Sequence, residues 1–340
     1  MSVSTVRYAI VTGANAPSIG FLAAQLLASR PHRYRVILAC RDKAKGLAAQ
    51  QVISAADPLA SAQYLHLDLA SLESVRSFAD TFRDVDGGAP KTVGLSLLLC
   101  NAGVGFGREN GRKLTADGFE RAFGTNHLGH FLLANLLMPD LQRSRDAATR
   151  VVVVSSSLHD PKTGRSKRPT TLGDLDDLHL AAPGAYDAGF AYRRSKLANL
   201  LFAYELKRRL AAAGCHSVGV LALEPGFIPQ TALNREAGAL GVFFLRYVLD
   251  GVLKWAGLVS FTRTIEDGAL AEVLVATSRD AVDGGYHRLS RDGHLEVVQS
   301  SEESRDVDKA RRLWEFSVEA TGAEVAEAAW RSVAEFSRLS

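Results

Sequence analysis

Short apolar runs rich in β-branched residues alternate with longer stretches of helical spacing through most of this 340-residue chain. That alternation constrains the fold more than any other feature. Runs at 8–11, 35–39, 63–67, 95–99, 150–154, 217–223 and 285–289 read as strands, and those at 20–29, 43–55, 72–82, 117–141, 192–213 and 266–277 as helices. Near-continuous apolar strands separated by helices require a parallel sheet covered on both faces. The pattern predicts an α/β, Rossmann-type doubly wound parallel sheet of about seven strands. No repeat, low-complexity tract or linker divides the chain, so a single domain is expected over 1–340. Its cofactor half should span about 1–150, its catalytic and substrate half about 151–300, and its C-terminal helices about 301–340. Two excursions interrupt the pattern, a polar insertion at about 160–190 and a helical segment at about 231–260.

Bulk chemistry narrows the partners. A net charge of +3, with no basic tract longer than Arg165-Ser166-Lys167-Arg168, argues against nucleic acid. The three cysteines, Cys40, Cys100 and Cys215, have no CxxC spacing, which favours buried thiols in a reducing compartment, and no metal site is expected. The first residues run straight into a strand without a secretion signal, so a cytoplasmic or organelle-soluble location is expected. The apolar stretch at 240–259 is broken by Arg246, Asp250 and Lys254 at four-residue steps, which makes it amphipathic, not spanning. It reads as a helix over a substrate pocket, with peripheral contact to a membrane surface as the alternative. Oligomeric state is not readable from the sequence.

Ligands of a doubly wound sheet bind beyond the carboxyl ends of its strands. After the first strand comes "TGANAPSIG", in which Gly13 and Gly20 bracket Asn15, Pro17 and Ser18, and a helix starts near Ile19. Backbone N–H groups at a helix start suit a phosphate, and glycine permits its close approach. A plain turn with Ser18 as helix cap is the other reading. Arg41 follows the second strand. Its positive fork suits a ribose 2′-phosphate, so the cofactor reads as NADPH, unless Arg41 and Asp42 form only a solvated pair. Asp68 and Leu69 follow the third strand, with Asp68 placed to meet an adenine amino group. Asn101, Ala102 and Gly103 follow the fourth, small residues against which a flat ring could slide.

The fifth strand ends in serines, and further on Tyr192 and Lys196 stand four residues apart on one helical face. An ammonium near the phenol lowers its pKa and makes it a usable proton donor or acceptor.

These residues resemble the short-chain dehydrogenase/reductase family across essentially the whole chain, through "TGANAPSIG", "CNAG", "TNHLGH", "VVVVSSS", "YRRSK" and "EPGFIPQT". The resemblance implies that Ser156 orients a substrate carbonyl and Tyr192 is the acid/base. It implies that Lys196 tunes Tyr192 and holds the nicotinamide ribose, and that Asn126 holds a water linking Lys196 to solvent. Pro225, Gly226 and Thr231 would flank the nicotinamide and its phosphates, with Phe227 and His159 as candidate substrate contacts. Within the family, "ACRD", "HLDLASLESVRSF", "LTADGFERAFGTNHLGHFLLANLL", "LGDLDDL" and the tail "SSEESRDVDKARRLWEFS" look like the light-dependent protochlorophyllide reductases. Retinol-dehydrogenase-like members come next.

This chain departs from the protochlorophyllide pattern at Phe227 and Ala198, where those enzymes carry cysteines, and in its longer opening loop without a central glycine. The reading is an NADPH-dependent oxidoreductase reducing a C=O or C=C bond of a bulky hydrophobic substrate. The alternatives are a retinol-dehydrogenase-like carbonyl/alcohol oxidoreductase and a non-catalytic NADP(H)-binding scaffold.

Overall fold

The computed structural model describes residues 6–105, 111–163, 168–228, 262–324 and 328. Thr231 and the amphipathic stretch at 240–259 lie outside them. In chain order the sheet and its main covering helices are β1 (Tyr8–Thr12), α1 (Ile19–Ala28), β2 (Arg35–Cys40), α2 (Lys43–Ala56), β3 (Ser61–His66), α3 (Leu72–Arg83), β4 (Leu97–Cys100), α4 (Gly129–Arg143), β5 (Arg150–Val154), α5 (Ala188–Ala212), β6 (Gly219–Glu224), α6 (Ile265–Thr277), β7 (Tyr286–Leu289), β8 (Leu295–Val297) and α7 (Val307–Thr321).

The strands run in the order β3-β2-β1-β4-β5-β6-β7-β8. All neighbours are parallel except β7 and β8, so the doubly wound sheet has eight strands, one beyond the seven read from the sequence. Strand order reverses between β1 and β4, which opens the crevice where such sheets take ligands. The missed β8 is only three residues long and reached by a tight turn in which Ser290 N–H donates to the His294 carbonyl at 2.7 Å.

Alternation along each strand splits the core into two layers. Ile10, Leu98, Val151, Val153 and Val220 face α3, α4, α5 and α7, whereas Val11, Leu99, Val152, Leu221 and Leu223 face α1, α2 and α6. The C-terminal α7 belongs to the first layer. Trp314 is buried edge-on against Phe131, with ring centroids 4.8 Å apart, and stacks near Phe202 at 6.0 Å. The tail is therefore part of the core.

Two helix boundaries differ from the sequence reading. The helix expected over 117–141 starts only at Arg121, where the Glu120 carboxylate caps the Ala122 and Phe123 N–H groups. A wide π-type turn over Gly124–Leu128 then precedes α4. Such a turn, closed by i→i+5 bonds, has no residue-type signature of its own, so nothing in the sequence marks it. Conversely α5 starts at Ala188, four residues before Tyr192, because Asp187 accepts the Phe190 N–H at 2.6 Å and caps it. The insertion after 160 folds down through buried Leu172, Leu178 and Leu180. Arg194 fastens it by donating to the carbonyls of Asp177 and Leu172.

Candidate active site

The carboxyl ends of β1 to β4 open on a cleft of about 240 Å³ lined by Gly13, Asn15, Pro17, Ser18, Ile19, Arg41, Asp68, Leu69, Asn101, Ala102, Gly103, Val104 and Thr125, among others. Each expected cofactor residue of the first four strand ends lies here except Gly20, which is buried just behind. The turn after β1 needs its glycines for different reasons. Gly13 has φ +72°, which an L side chain rarely adopts, and a Cβ there would lie 3.0 Å from the Ala102 Cα. A Cβ on Gly20 would meet the Asn101 amide nitrogen at 2.3 Å. That amide donates to the Thr12 carbonyl at 2.7 Å, so Asn101 staples the end of β1 and Gly20 makes room for it.

Ser18 caps α1. Its hydroxyl accepts the Phe21 N–H at 3.0 Å and donates to the Gly13 carbonyl at 3.1 Å. Ser18 thus caps the helix, and the first helical turn still presents N–H groups that the helix itself does not use and that an anion could accept. At the far rim the Arg41 guanidinium, 73% exposed, stands 4.0 Å from the Asp68 carboxylate. The Thr125 hydroxyl, buried at the cleft wall, has no hydrogen-bond partner among the described residues. A long ligand with phosphates at the α1 end and further negative charge beside Arg41 fits these groups.

The chemistry-bearing residues gather behind Gly103, which lines this cleft. Tyr192 and Lys196 are both buried on α5. The Lys196 ammonium donates to the Val154 carbonyl at 3.0 Å and stands 5.8 Å from the Tyr192 ring centroid. Ser156 follows β5 and hydrogen-bonds the Tyr192 phenol. Asn126 sits inside the wide turn, accepts the Val104 N–H at 2.8 Å and donates to the Val104 carbonyl at 3.0 Å and the Ser195 hydroxyl at 2.9 Å. A Cβ on Gly103 would lie 3.4 Å from the Asn126 oxygen and 3.6 Å from the Lys196 nitrogen, so the two side chains converge on that backbone.

Burial pushes the Tyr192 phenol up to about 12, against a smaller downward pull from Ser156. Burial also pushes Lys196 down to about 8, partly opposed by the Glu272 carboxyl. The lowering of Tyr192 by Lys196 expected from the sequence does not dominate in this arrangement, because burial is the largest effect on the phenol.

Comparison with known proteins fits this geometry. The profile of the short chain dehydrogenase family matches residues 7–164. Protochlorophyllide reductase A of Triticum aestivum is 34% identical over 330 residues, 92% of this chain and 80% of that protein. Protochlorophyllide reductase of Daucus carota is 35% identical over 329 residues, 92% and 77% of the two chains. The crystal structure of an uncharacterized protein from Mycobacterium paratuberculosis is 33% identical, covers 93% of both chains and superposes with a TM-score of 0.66. The chain belongs to the short chain dehydrogenase family. At 20% identity and a TM-score of 0.58, an NADPH-bound carbonyl reductase from chicken fatty liver shows the same fold.

For this short chain dehydrogenase the structure also reveals supporting residues that the sequence did not single out. Thr12 at the end of β1 accepts the Ala102 N–H at 2.9 Å and meets the His130 imidazole at 2.9 Å, while the other His130 nitrogen faces the Asn126 carbonyl at 3.0 Å. Burial pushes His130 down to about 4, so it is neutral and bridges the strand end to the turn that carries Asn126. Ser195 ties the Tyr192 carbonyl to Asn126. Only the "NHLGH" spacing hinted at His130, since i,i+4 residues share a helical face.

One expected substrate contact is placed otherwise. His159 is buried, and both ring nitrogens are engaged within the protein, which leaves no polar atom for a substrate. Phe227 is 38% exposed beside Gly226, whose φ is +86°, and its carbonyl accepts the Arg263 N–H at 2.8 Å. Pro225 precedes them at the end of β6.

Proposed function

We propose that this protein is an NADPH-dependent reductase of a C=O or C=C bond in a bulky hydrophobic substrate, similar in kind to the protochlorophyllide reductases. The observation that carries the reading is that Ser156, Tyr192, Lys196 and Asn126 gather beside Gly103, which lines the cleft at the ends of β1 to β4. NADPH would lie along Gly13, Asn15, Ser18, Ile19 and Gly20, with Arg41 beside the 2′-phosphate and Asp68 and Leu69 near the adenine. When bound, its nicotinamide supplies a hydride.

The protein's part is protonic and positional. Tyr192 is protonated at neutral pH, as a proton donor must be. The Ser156 hydroxyl, already bonded to that phenol, would orient the substrate oxygen or the polarised end of a double bond. Lys196 would hold the ribose and, recharged by solvent through the Asn126 turn, replace the lost proton. A substrate domain separate from the cofactor domain is not needed, because β5, β6 and β7 continue the sheet that β1 to β4 begin. Among the described residues no helix is long and apolar enough to cross a membrane.

A dark carbonyl or alkene reduction is the second reading. It rests on Phe227 and Ala198, which put no thiol at the two places where the protochlorophyllide pattern has one. The test is to mix the protein with NADPH and protochlorophyllide and illuminate. A light-dependent chlorophyllide absorbance band supports the pigment reading. Its absence, with dark Tyr192-dependent turnover of another bulky carbonyl compound, overturns that reading in favour of the second.

A further inference from the structure

The His159 imidazole joins the catalytic serine turn to a distant part of the chain. On one side its Nδ1 lies 2.7 Å from the Ser156 carbonyl oxygen. On the other, the Ser301 N–H donates to Nε2 at 3.0 Å. A backbone N–H can only donate, so Nε2 carries no proton and the proton sits on Nδ1, donating to Ser156. The ring stands edge-on to Tyr286 on β7, with centroids 5.3 Å apart and planes at 88°. The Tyr286 hydroxyl donates in turn to the Glu224 carboxylate at 3.0 Å at the end of β6. Burial holds the imidazole below its ordinary value, which keeps this neutral tautomer at physiological pH.

The segment at the far end is itself fixed on three sides. The Ser304 hydroxyl donates to the Ser300 hydroxyl at 2.7 Å, and Ser300 meets the Tyr204 hydroxyl at 2.8 Å, tying the segment to α5. The Glu303 carboxylate accepts from the Leu172 N–H at 2.9 Å and from Lys309 at 2.7 Å, tying it to the insertion and to α7. A turn of three residues after a strand end would otherwise be free to shift. Here it is clasped to a part of the chain more than 140 positions away.

We propose that His159 is a positioning residue for Ser156, a two-sided clasp through which residues 300–304 set the place of the catalytic hydroxyl. This rests on the catalytic reading of Ser156 given above. Because the role acts through a backbone carbonyl, its loss lowers turnover without changing how substrate or NADPH binds. A misplacement on the order of 1 Å at a reacting group costs about 100-fold in rate.

The test uses the full-length protein and three variants. His159→Leu removes both bonds, whereas His159→Asn keeps a donor near the Nδ1 position. His159→Gln places an acceptor near Nε2 and loses the donor to Ser156. With a substrate that wild type turns over in a Tyr192-dependent way, the Leu variant is expected to lose about 10- to 100-fold in kcat. Its KM and NADPH Kd should stay within twofold of wild type, and Asn should recover more activity than Gln. An unchanged kcat in a folded Leu variant, or a raised KM at unchanged kcat, overturns the proposal; the latter would make His159 a substrate contact. Should the Leu variant fail to fold, the Asn and Gln pair decides by the same comparison. An arm independent of turnover is the ¹⁵N spectrum of the His159 ring in wild-type protein with NADPH. The Nδ1-protonated neutral tautomer persisting below the ordinary imidazole range is expected, and an Nε2-protonated ring, or one titrating at its ordinary value, overturns the clasp even if no substrate is found.

Discussion

Glu272 on α6 is wholly buried, and neither carboxyl oxygen has a hydrogen-bond partner among the described residues. Burial pushes it up from an ordinary 4.5 to about 8, with Lys196 pulling the other way. The folded state therefore holds the Glu272 proton across a window in which the unfolded state has released it. Stability is full below about pH 4.5 and falls by about 1.4 kcal/mol per pH unit as pH rises toward 8, roughly 5 kcal/mol in all. Lys196 has the opposite shift, lowered from 10.5 to about 8, and its effect on stability falls mainly above pH 8.

Glu272→Gln removes the titrating group. Between pH 5 and 8 its stability curve should therefore lie flatter than that of wild type by about 3–4 kcal/mol. Any constant cost of burying an unpaired amide shifts both ends of the curve equally. Urea unfolding of both proteins at pH 5.0, 6.5 and 8.0 reads the effect. The stability of wild type should fall with pH relative to the variant, with unchanged m-values. Parallel curves would show that Glu272 is ionised or hydrated in the folded protein, and the reasoning from burial would fail.

Arg41→Ala should weaken NADPH binding by about 1–3 kcal/mol while leaving NADH within a factor of two, as loss of one charge-assisted contact would. Isothermal titration with both nucleotides checks it, and an unchanged NADPH/NADH ratio refutes a role for Arg41 at the 2′-phosphate. Gly20→Ala places a methyl within 2.3 Å of the Asn101 amide, so the staple to Thr12 must shift. A stability loss of about 1–3 kcal/mol together with weaker NADPH binding is expected, measured by thermal melts with and without nucleotide. An unperturbed melt would mean the loop absorbs the methyl.

What was legible in the sequence was whatever depends on local pattern. Continuous apolar strands such as Val151–Val154 could only be the interior of a parallel sheet, and the residues after four of them gather in one cleft, as the switch-point rule requires. The Tyr192/Lys196 pair was legible because four residues is one helical turn. Contacts that close over long sequence distances were not. Nothing at His159 announces Ser301, and nothing at Glu272 announces Lys196, because each meeting depends on where the sheet and two helix layers place the chain. The wide turn at Gly124–Leu128 was hidden because it interrupts the helix without changing residue type. The opening loop lacks a central glycine. In the structure Ser18 caps the helix, and the two glycines that matter are the flanking ones.

The central claim is that Tyr192 donates the proton in an NADPH-driven reduction. Wild type and Tyr192→Phe should be compared for NADPH oxidation against a panel of bulky apolar carbonyl and conjugated alkene compounds, with protochlorophyllide in light and dark among them. Nucleotide binding is measured alongside. Equal NADPH affinity for the two proteins is expected, with turnover of at least one substrate falling by about 10²- to 10⁴-fold in the Phe variant. NADPH bound with no substrate reduced, or reduction undiminished without the Tyr192 hydroxyl, would contradict it.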